Sequence, residues 1–112
     1  MEKATDIGTS SEFFKCLSDP YRLRCVLLIL KHSELCVCDL MQILCLSQPK
    51  VSRYLSDLRK CNILTSQRRG QWVYYTLDKT LPDYAVKVLS VLAHSDIPGL
   101  PECLPLERTI TC

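Results

Sequence analysis

The pattern of apolar and polar positions along the chain predicts five helices and one β-hairpin. Apolar residues that recur at spacings of three and four mark one face of a helix, whereas runs of β-branched and aromatic residues between turn signals are typical of strands. The predicted strands cover residues 63–68 and 71–77, with Arg69-Gly70 as their turn. The predicted helices cover residues 11–18, 20–31, 36–44, 48–60 and 82–94. The fold is therefore expected to be mostly α-helical, in the order α-α-α-α-β-β-α.

Capping residues define the ends of several of these helices. Asp19-Pro20 has the form of an N-cap followed by proline at the first helical position. Ser47 is the predicted cap of the fourth helix, which has Pro49 in its first turn. Asn62 tolerates the left-handed conformation that often follows a helix, so we expect that helix to end just before it.

Positive charge is concentrated in one part of the chain. The whole protein has a net charge of only +2, but residues 47–79 carry seven basic and two acidic residues, a net charge of +5. The segments on either side are slightly acidic. A basic block of this kind indicates a surface that binds a polyanion such as nucleic acid.

The basic block coincides with two helices joined by a short turn and followed by a hairpin, which is the order of a winged helix-turn-helix. Such a fold places its second helix in the major groove of double-stranded DNA and its hairpin, the wing, against the backbone or minor groove. The residues predicted to contact DNA are Ser47, Gln48, Lys50, Ser52, Arg53 and Arg59 on the helix, and Arg68 and Arg69 on the wing.

The length of 112 residues suits one folding unit, which we expect to cover residues 1–94. Residues 95–112 are rich in proline and show no periodicity, so they are predicted to form a flexible tail that also contains cysteine. No secretory leader is recognisable, and the longest apolar run, residues 25–30, is far too short to cross a membrane. We therefore expect a cytoplasmic protein whose eight cysteines are reduced.

Two stretches of the sequence resemble a known family. ELCVCDL, residues 34–40, and LSQPKVSRYLSDLRKCNILTSQRRGQWVYYTL, residues 46–77, are similar to the ArsR/SmtB family of metal-sensing repressors, and specifically to its arsenic-responsive branch. The resemblance extends from about Glu12 to His94. It implies a homodimer, formed through the first and last helices, that binds palindromic operator DNA without any cofactor and is released when metal binds.

The resemblance also implies an inducer site for As(III) or Sb(III). Cys36 and Cys38 match the first two positions of the family's C-x-C-x-x-C pattern, whereas Met41 occupies the third. The third ligand is therefore open: either it comes from elsewhere in the dimer, with Cys103, Cys16 and Cys112 as candidates, or there is no third thiolate. A second family site, which binds zinc on the last helix, is expected to be absent.

Helical geometry suggests how such a site would act. Successive residues of a helix are rotated by about 100°, so two cysteines placed two residues apart in a regular helix point in different directions. If both bind one ion, the first turn of the third helix must unwind or rotate. We expect this change to move the neighbouring DNA-binding helix.

Other readings of the cysteines remain open at this stage. Without the resemblance, Cys36 and Cys38 would be interpreted as one core and one surface residue, and Cys25, Cys45 and Cys61 are predicted to be small apolar side chains. The same thiols could sense a soft divalent metal, such as cadmium or lead, or could be oxidised to a disulfide. An enzyme is not expected, because no His and Asp pattern accompanies any cysteine.

Overall fold

A computed structural model describes the backbone of residues 7–100 and the side chains of residues 11–100. This part of the chain contains five helices and three strands. They are α1 (Ile7–Cys16), α2 (Pro20–His32), β1 (Leu35–Cys36), α3 (Val37–Leu44), α4 (Gln48–Lys60), β2 (Leu64–Arg69), β3 (Trp72–Leu77) and α5 (Asp83–Ala93). The predicted mostly α-helical fold with a hairpin wing is confirmed.

The predicted helix ends after α1 agree closely with the structure. The Asp19 carboxylate accepts hydrogen bonds from the backbone N–H groups of Tyr21, at 2.8 Å, and Arg22, at 3.1 Å, and so caps α2. Asn62 has φ 61°, the left-handed conformation expected just after α4. Gly70 has φ 63° at the turn between β2 and β3, where glycine adopts this conformation without steric cost.

The prediction for the first helix was wrong at both ends. Helix α1 covers Ile7–Cys16, rather than residues 11–18. Leu17 and Ser18 form a turn instead, since Asp19 must adopt an extended conformation to cap α2 and to precede proline.

Strand β1 was not predicted from the sequence. Leu35 and Cys36 pair antiparallel with Tyr75 and Tyr74 of β3, so the sheet has three strands in the order β1-β3-β2. The third helix therefore begins at Val37 and not at Cys36. A two-residue strand leaves no periodic signal, because its pairing partner lies almost forty residues further along the chain.

The core forms where α2 packs against α4, α5 and the sheet. Apolar side chains of α2, α3 and α4 are buried in it, and α5 contributes Ala85 and Leu89. The largest side chains with less than 2% exposure include Leu28, Ile29, Leu40, Ile43, Leu55, Leu58, Ile63 and Leu89. The fully buried residues of α3 and α4 hold these two helices together, and this contact fixes the geometry of the helix-turn-helix.

Large apolar side chains remain exposed on α1 and α5. Phe14 is 50% exposed on α1, and Val86 and Val91 are 41% and 65% exposed on α5. These are the two helices on which the resemblance places the dimer interface. None of the helices within residues 7–100 combines the length and apolar character required to span a bilayer.

The predicted domain boundary lies next to the end of α5. His94 is the C-cap of this helix, and Ile97 and Leu100 beyond it are partly buried against the core. The first residues of the predicted tail therefore contact the folded domain. The rest of the predicted tail, including Cys103 and Cys112, lies outside the described residues.

Candidate DNA-binding surface and thiol sites

Helices α3 and α4 meet at a tight turn. Cys45 has φ 55°, a left-handed conformation that ends α3, and the backbone N–H of Leu46 donates to the Met41 carbonyl at 3.3 Å. Ser47 then has the extended conformation of an N-cap at the start of α4. This turn presents the N-terminal end of α4 at the surface, where the helix of a winged helix-turn-helix meets DNA bases.

The residues predicted to contact DNA lie on the surface of the structure. One side of α4 is buried through Val51, Leu55 and Leu58, which directs the other side to solvent. Seven of the eight predicted residues are exposed, and Ser52 is half-buried; the exposed ones are Ser47, Gln48, Lys50, Arg53, Arg59, Arg68 and Arg69. Helix and wing together thus present a continuous set of polar and basic groups.

Arg69 of the wing contacts Glu34, the residue that precedes β1. Its guanidinium lies 4.2 Å from the centroid of the Tyr74 ring and forms an ion pair with Glu34. Tyr74 is also the residue that pairs with Cys36 in the sheet. Arg69 was predicted to contact DNA only, and its contact with Glu34 was not predicted, because the two residues are 35 positions apart.

Cys36 and Cys38 lie on either side of a junction between strand and helix. Cys36 is only 5% exposed and has an extended backbone, with φ −100° and ψ 174°, as the N-cap of α3. Its backbone N–H donates to an Asp39 carboxylate oxygen at 3.0 Å. Cys38 is half-buried in the first turn of the helix. The prediction that both cysteines belong to one regular helix is therefore wrong for Cys36.

The described residues do not complete a three-ligand site within one chain. Among residues 11–100, no group of three His, Cys, Asp or Glu side chains is arranged to hold a metal ion. Met41 is partly buried against the core, and the Cys16 thiol donates instead to the Asp57 carbonyl, at 3.8 Å. The other two candidate ligands, Cys103 and Cys112, lie outside the described residues.

The three cysteines predicted to be small apolar side chains have different environments. Cys25 is fully buried, as predicted, and burial raises the pKa of its thiol from the ordinary value of 9.0 to about 12. Cys61 is half-buried and packs against the core, as predicted. The prediction for Cys45 was wrong, because the left-handed turn that ends α3 exposes its side chain.

Two contacts that were not predicted fix α4 to the start of α2. The rings of Tyr21 and Tyr54 stack with centroids 5.5 Å apart and planes within 9°. A guanidinium nitrogen of Arg22 lies 3.7 Å from a carboxylate oxygen of Asp57. Both contacts join residues more than thirty positions apart, so no local pattern could have revealed them.

Comparisons with known proteins agree with this geometry. Residues 19–66 match the family described as bacterial regulatory protein, arsR family. The chain is 49% identical over 102 residues to the arsenic resistance transcriptional regulator ArsR1 of Pseudomonas putida, a match that covers 90% of this chain and 80% of that protein. It is 45% identical over 78 residues to the arsenical resistance operon repressor of Escherichia coli K12, covering 70% and 67% of the two chains.

Solved structures show the same fold. HlyU from Vibrio cholerae superposes with a TM-score of 0.70 at 27% identity, over 82% of this chain and 94% of that one. Dimers are typical of proteins with this fold and family. The relatives are transcriptional regulators with helix-turn-helix domains, which confirms the prediction that the chain is not an enzyme. From its sequence and its winged helix-turn-helix, the chain belongs to the ArsR family of bacterial transcriptional regulators.

Proposed function

We propose that this protein is a repressor that binds operator DNA as a homodimer and releases it when Cys36 and Cys38 bind trivalent arsenic or antimony. The observation that carries the proposal is the position of these thiols between the two DNA-binding elements. Cys36 pairs with β3 of the wing, and Cys38 lies in the first turn of α3, which packs against α4. The names of the relatives in Pseudomonas and Escherichia support an arsenical inducer.

DNA binding would use the exposed polar side of α4 and the wing. Gln48, Lys50 and Arg53 near the start of α4 are exposed and can reach base edges or phosphates in the major groove. Arg68 at the wing supplies a further cation to the backbone. Operator binding requires no bound metal in this scheme, and it takes place in the cytoplasm.

Thiol chemistry explains the choice of inducer. Trivalent arsenic and antimony are soft centres that favour sulfur ligands, and each cysteine thiol displaces one hydroxide, which leaves as water with the thiol proton. Cys36 and Cys38 supply two of the three sulfur positions. We assign the third sulfur position to Cys103. Single replacements of Cys103, of Cys112 and of Cys16, which would act from the partner subunit, test this assignment.

The structure changes the release mechanism expected from the sequence. Cys36 is already outside the helix, so α3 need not unwind to free it. Its backbone is held by pairing with Tyr74 and by the Asp39 carboxylate. When one ion draws the Cys36 and Cys38 sulfurs together, the junction between β1 and α3 must move, and the wing and α4 move with it. The altered spacing of helix and wing lowers operator affinity.

Titration of the operator complex with arsenite tests this function. Fluorescence anisotropy of a labelled operator is followed for the wild type, Cys36→Ser and Cys38→Ser. We expect all three to bind the operator without arsenite, and only the wild type to release it. Cys61→Ser is the matched control, because it removes a free thiol that is half-buried like Cys38 but lies at the end of α4. It should release the operator like the wild type.

The same titration also distinguishes an arsenical inducer from a soft divalent metal and from an oxidant. Normal arsenite release by both Cys36→Ser and Cys38→Ser would remove this pair from the mechanism. Release of the wild type by cadmium or lead but not by arsenite would identify a sensor of soft divalent metal. Release by peroxide alone, lost in both variants, would identify a redox sensor.

A further inference from the structure

The outer face of the three-stranded sheet joins Cys36 to the wing. Adjacent residues of a strand point to opposite faces of a sheet, whereas residues paired across two strands share a face. Leu35 and its partner Tyr75 pack into the core, so theirs is the inner face. Cys36 and its partner Tyr74, one residue away on each strand, therefore lie on the outer face. The proposed inducer thiol thus shares a face with side chains of the hairpin.

Arg69 lies on that same outer face. Its pairing partner in the hairpin is Trp72, which is two residues from Tyr74 and so shares its face. The guanidinium of Arg69 reaches over β3, where it stacks 4.2 Å from the centroid of the Tyr74 ring and forms the ion pair with Glu34. Because β3 is the middle strand, this contact joins the wing to the segment that carries Cys36.

Arg69 cannot serve Glu34 and DNA at the same time. It is one of the exposed cations of the predicted DNA surface. Carboxylates and phosphates bind the same edge of a guanidinium, and the negative charge of Glu34 also repels a phosphate. The ion pair therefore holds one cation of the wing away from DNA. Both side chains are partly exposed, so water can replace either partner and the pair can open.

We propose that the ion pair between Glu34 and Arg69 is a latch through which the inducer acts on the wing. Arsenite at Cys36 and Cys38 holds the latch closed, whereas operator DNA requires it open. This inference rests on the proposed function, since it takes these two thiols as the inducer site. Glu34 is then a positioning residue, which acts on DNA binding only through Arg69.

The bridge between the two sulfurs explains this direction. One ion bound to Cys36 and Cys38 connects the end of β1 to the first turn of α3, and so restricts the segment that carries Glu34. A restricted carboxylate loses less conformational entropy when it pairs with Arg69, which makes the closed latch more stable. Operator binding, which needs the Arg69 guanidinium, becomes weaker in consequence.

The contribution of the latch to operator release is modest. A partly exposed ion pair and a stacked guanidinium correspond together to about twofold to fivefold in an equilibrium constant. The latch therefore supplies one part of the release. The contact between α3 and α4 carries the remainder.

The test measures operator affinity by fluorescence anisotropy with and without saturating arsenite, and compares the ratio of the two affinities between variants. Without arsenite, Glu34→Gln should bind operator more tightly than the wild type and Arg69→Gln less tightly, because one frees the guanidinium and the other removes it. In both variants the ratio should fall by about twofold to fivefold, since no latch remains for arsenite to close. Structural damage would not change the affinities in opposite directions and the ratio in the same direction.

Arg68→Gln is the matched control. It removes the neighbouring exposed cation of the wing, but Arg68 pairs with Val73 and so lies on the other face of the hairpin. Its replacement should lower operator affinity equally with and without arsenite, so the ratio should equal that of the wild type. Arg68→Gln should also bind arsenite like the wild type when DNA is absent.

The salt dependence of operator binding counts the phosphate contacts directly. Each contact changes the slope of log K against log salt by roughly 0.9, so without arsenite Arg69→Gln should lose about one unit of slope per chain. With saturating arsenite, the wild type and Arg69→Gln should have equal slopes, because the latch keeps Arg69 from DNA in the wild type. Arg68→Gln should differ from the wild type by the same amount in both conditions.

Two results would overturn the latch. One is a ratio equal to that of the wild type in either Glu34→Gln or Arg69→Gln. The other is a slope difference between the wild type and Arg69→Gln that is as large with arsenite as without it. Either result, with normal arsenite release by the wild type, rejects the latch alone. Failure of the wild type to release operator with arsenite rejects the proposed function and the latch with it.

Discussion

The two cysteine pairs of this protein are built in opposite ways. Cys36 and Cys38 are neighbours in sequence, but a change from strand to helix separates them. Cys16 and Cys61 are 45 positions apart, yet both contact the Asp57 carbonyl, at 3.8 Å and 3.1 Å. The first pair lies in a segment that joins the wing to α3, whereas the second lies where the ends of α1 and α4 meet. The first arrangement suits a sensor that acts on DNA binding, and the second suits a fixed contact between helices.

The largest expected effect is on the free energy of unfolding, at α3, the helix that carries Cys38. Leu40 is a fully buried residue of α3, so Leu40→Ala should lower the free energy of unfolding by about 2–5 kcal/mol. Cys38→Ser, at a half-buried position two residues earlier, should cost about 1 kcal/mol or less. Urea unfolding of both variants checks this. Equal losses would mean that the thiol is part of the core and cannot be replaced cleanly.

The next effect concerns DNA contacts that lie away from both pairs. Arg53 is exposed on α4, and Arg53→Gln should lower operator affinity by about 1–3 kcal/mol, or roughly 10- to 100-fold. The loss should be the same with and without arsenite. Lys87→Gln on α5 is the control, since it removes a charge outside the predicted DNA surface. Anisotropy titrations at fixed salt measure the operator affinity of both variants. An unchanged affinity for Arg53→Gln would reject the predicted DNA surface.

A smaller effect is expected at the link between the wing and β1. Glu34→Gln removes the carboxylate that pairs with Arg69, a partly exposed ion pair that contributes about 1 kcal/mol or less. The released guanidinium can turn to phosphate, so operator affinity should rise by up to about fivefold. The gain should disappear when Arg69→Gln is also present, as a double-mutant cycle would show. A gain that persists would place Glu34 in another role.

The smallest effect at neutral pH concerns the buried thiols. The pKa values of Cys16 and Cys25 are raised to about 12 in the folded protein, mainly by burial, whereas an unfolded cysteine ionises near 9.0. Between these values the unfolded chain binds fewer protons, so stability is full below pH 9 and falls as the pH rises toward 12. Urea unfolding from pH 8 to pH 10.5 measures the slope. Cys25→Ala should reduce it, and an unchanged slope would contradict this assignment.

Much of the fold could be predicted because its signals are local. Asp19-Pro20, Ser47 and Asn62 act within a few residues, and their predicted positions are confirmed. The hairpin could be predicted for the same reason. Strand β1 could not, because Leu35 and Cys36 become a strand only by pairing with β3.

The candidate sites show the same division. The sequence alone predicted the basic surface of α4. It also showed the spacing of Cys36 and Cys38, on which the resemblance to the family partly rests. The approach of Cys16 and Cys61 to the same Asp57 carbonyl could not be predicted, since the two cysteines lie at the ends of different helices and only tertiary packing brings them near each other. The environment of Cys45 was also missed, because its exposure follows from a left-handed turn rather than from its apolar neighbours.

The most direct test of the central claim is a measurement of arsenite affinity with and without saturating operator DNA. If the junction at Cys36 and Cys38 couples to α4 and the wing, operator must weaken arsenite binding by the same factor by which arsenite weakens operator binding. We predict equal factors for the wild type. Arsenite affinity that is unchanged by the operator would contradict the account, because binding at these thiols would then have no link to DNA.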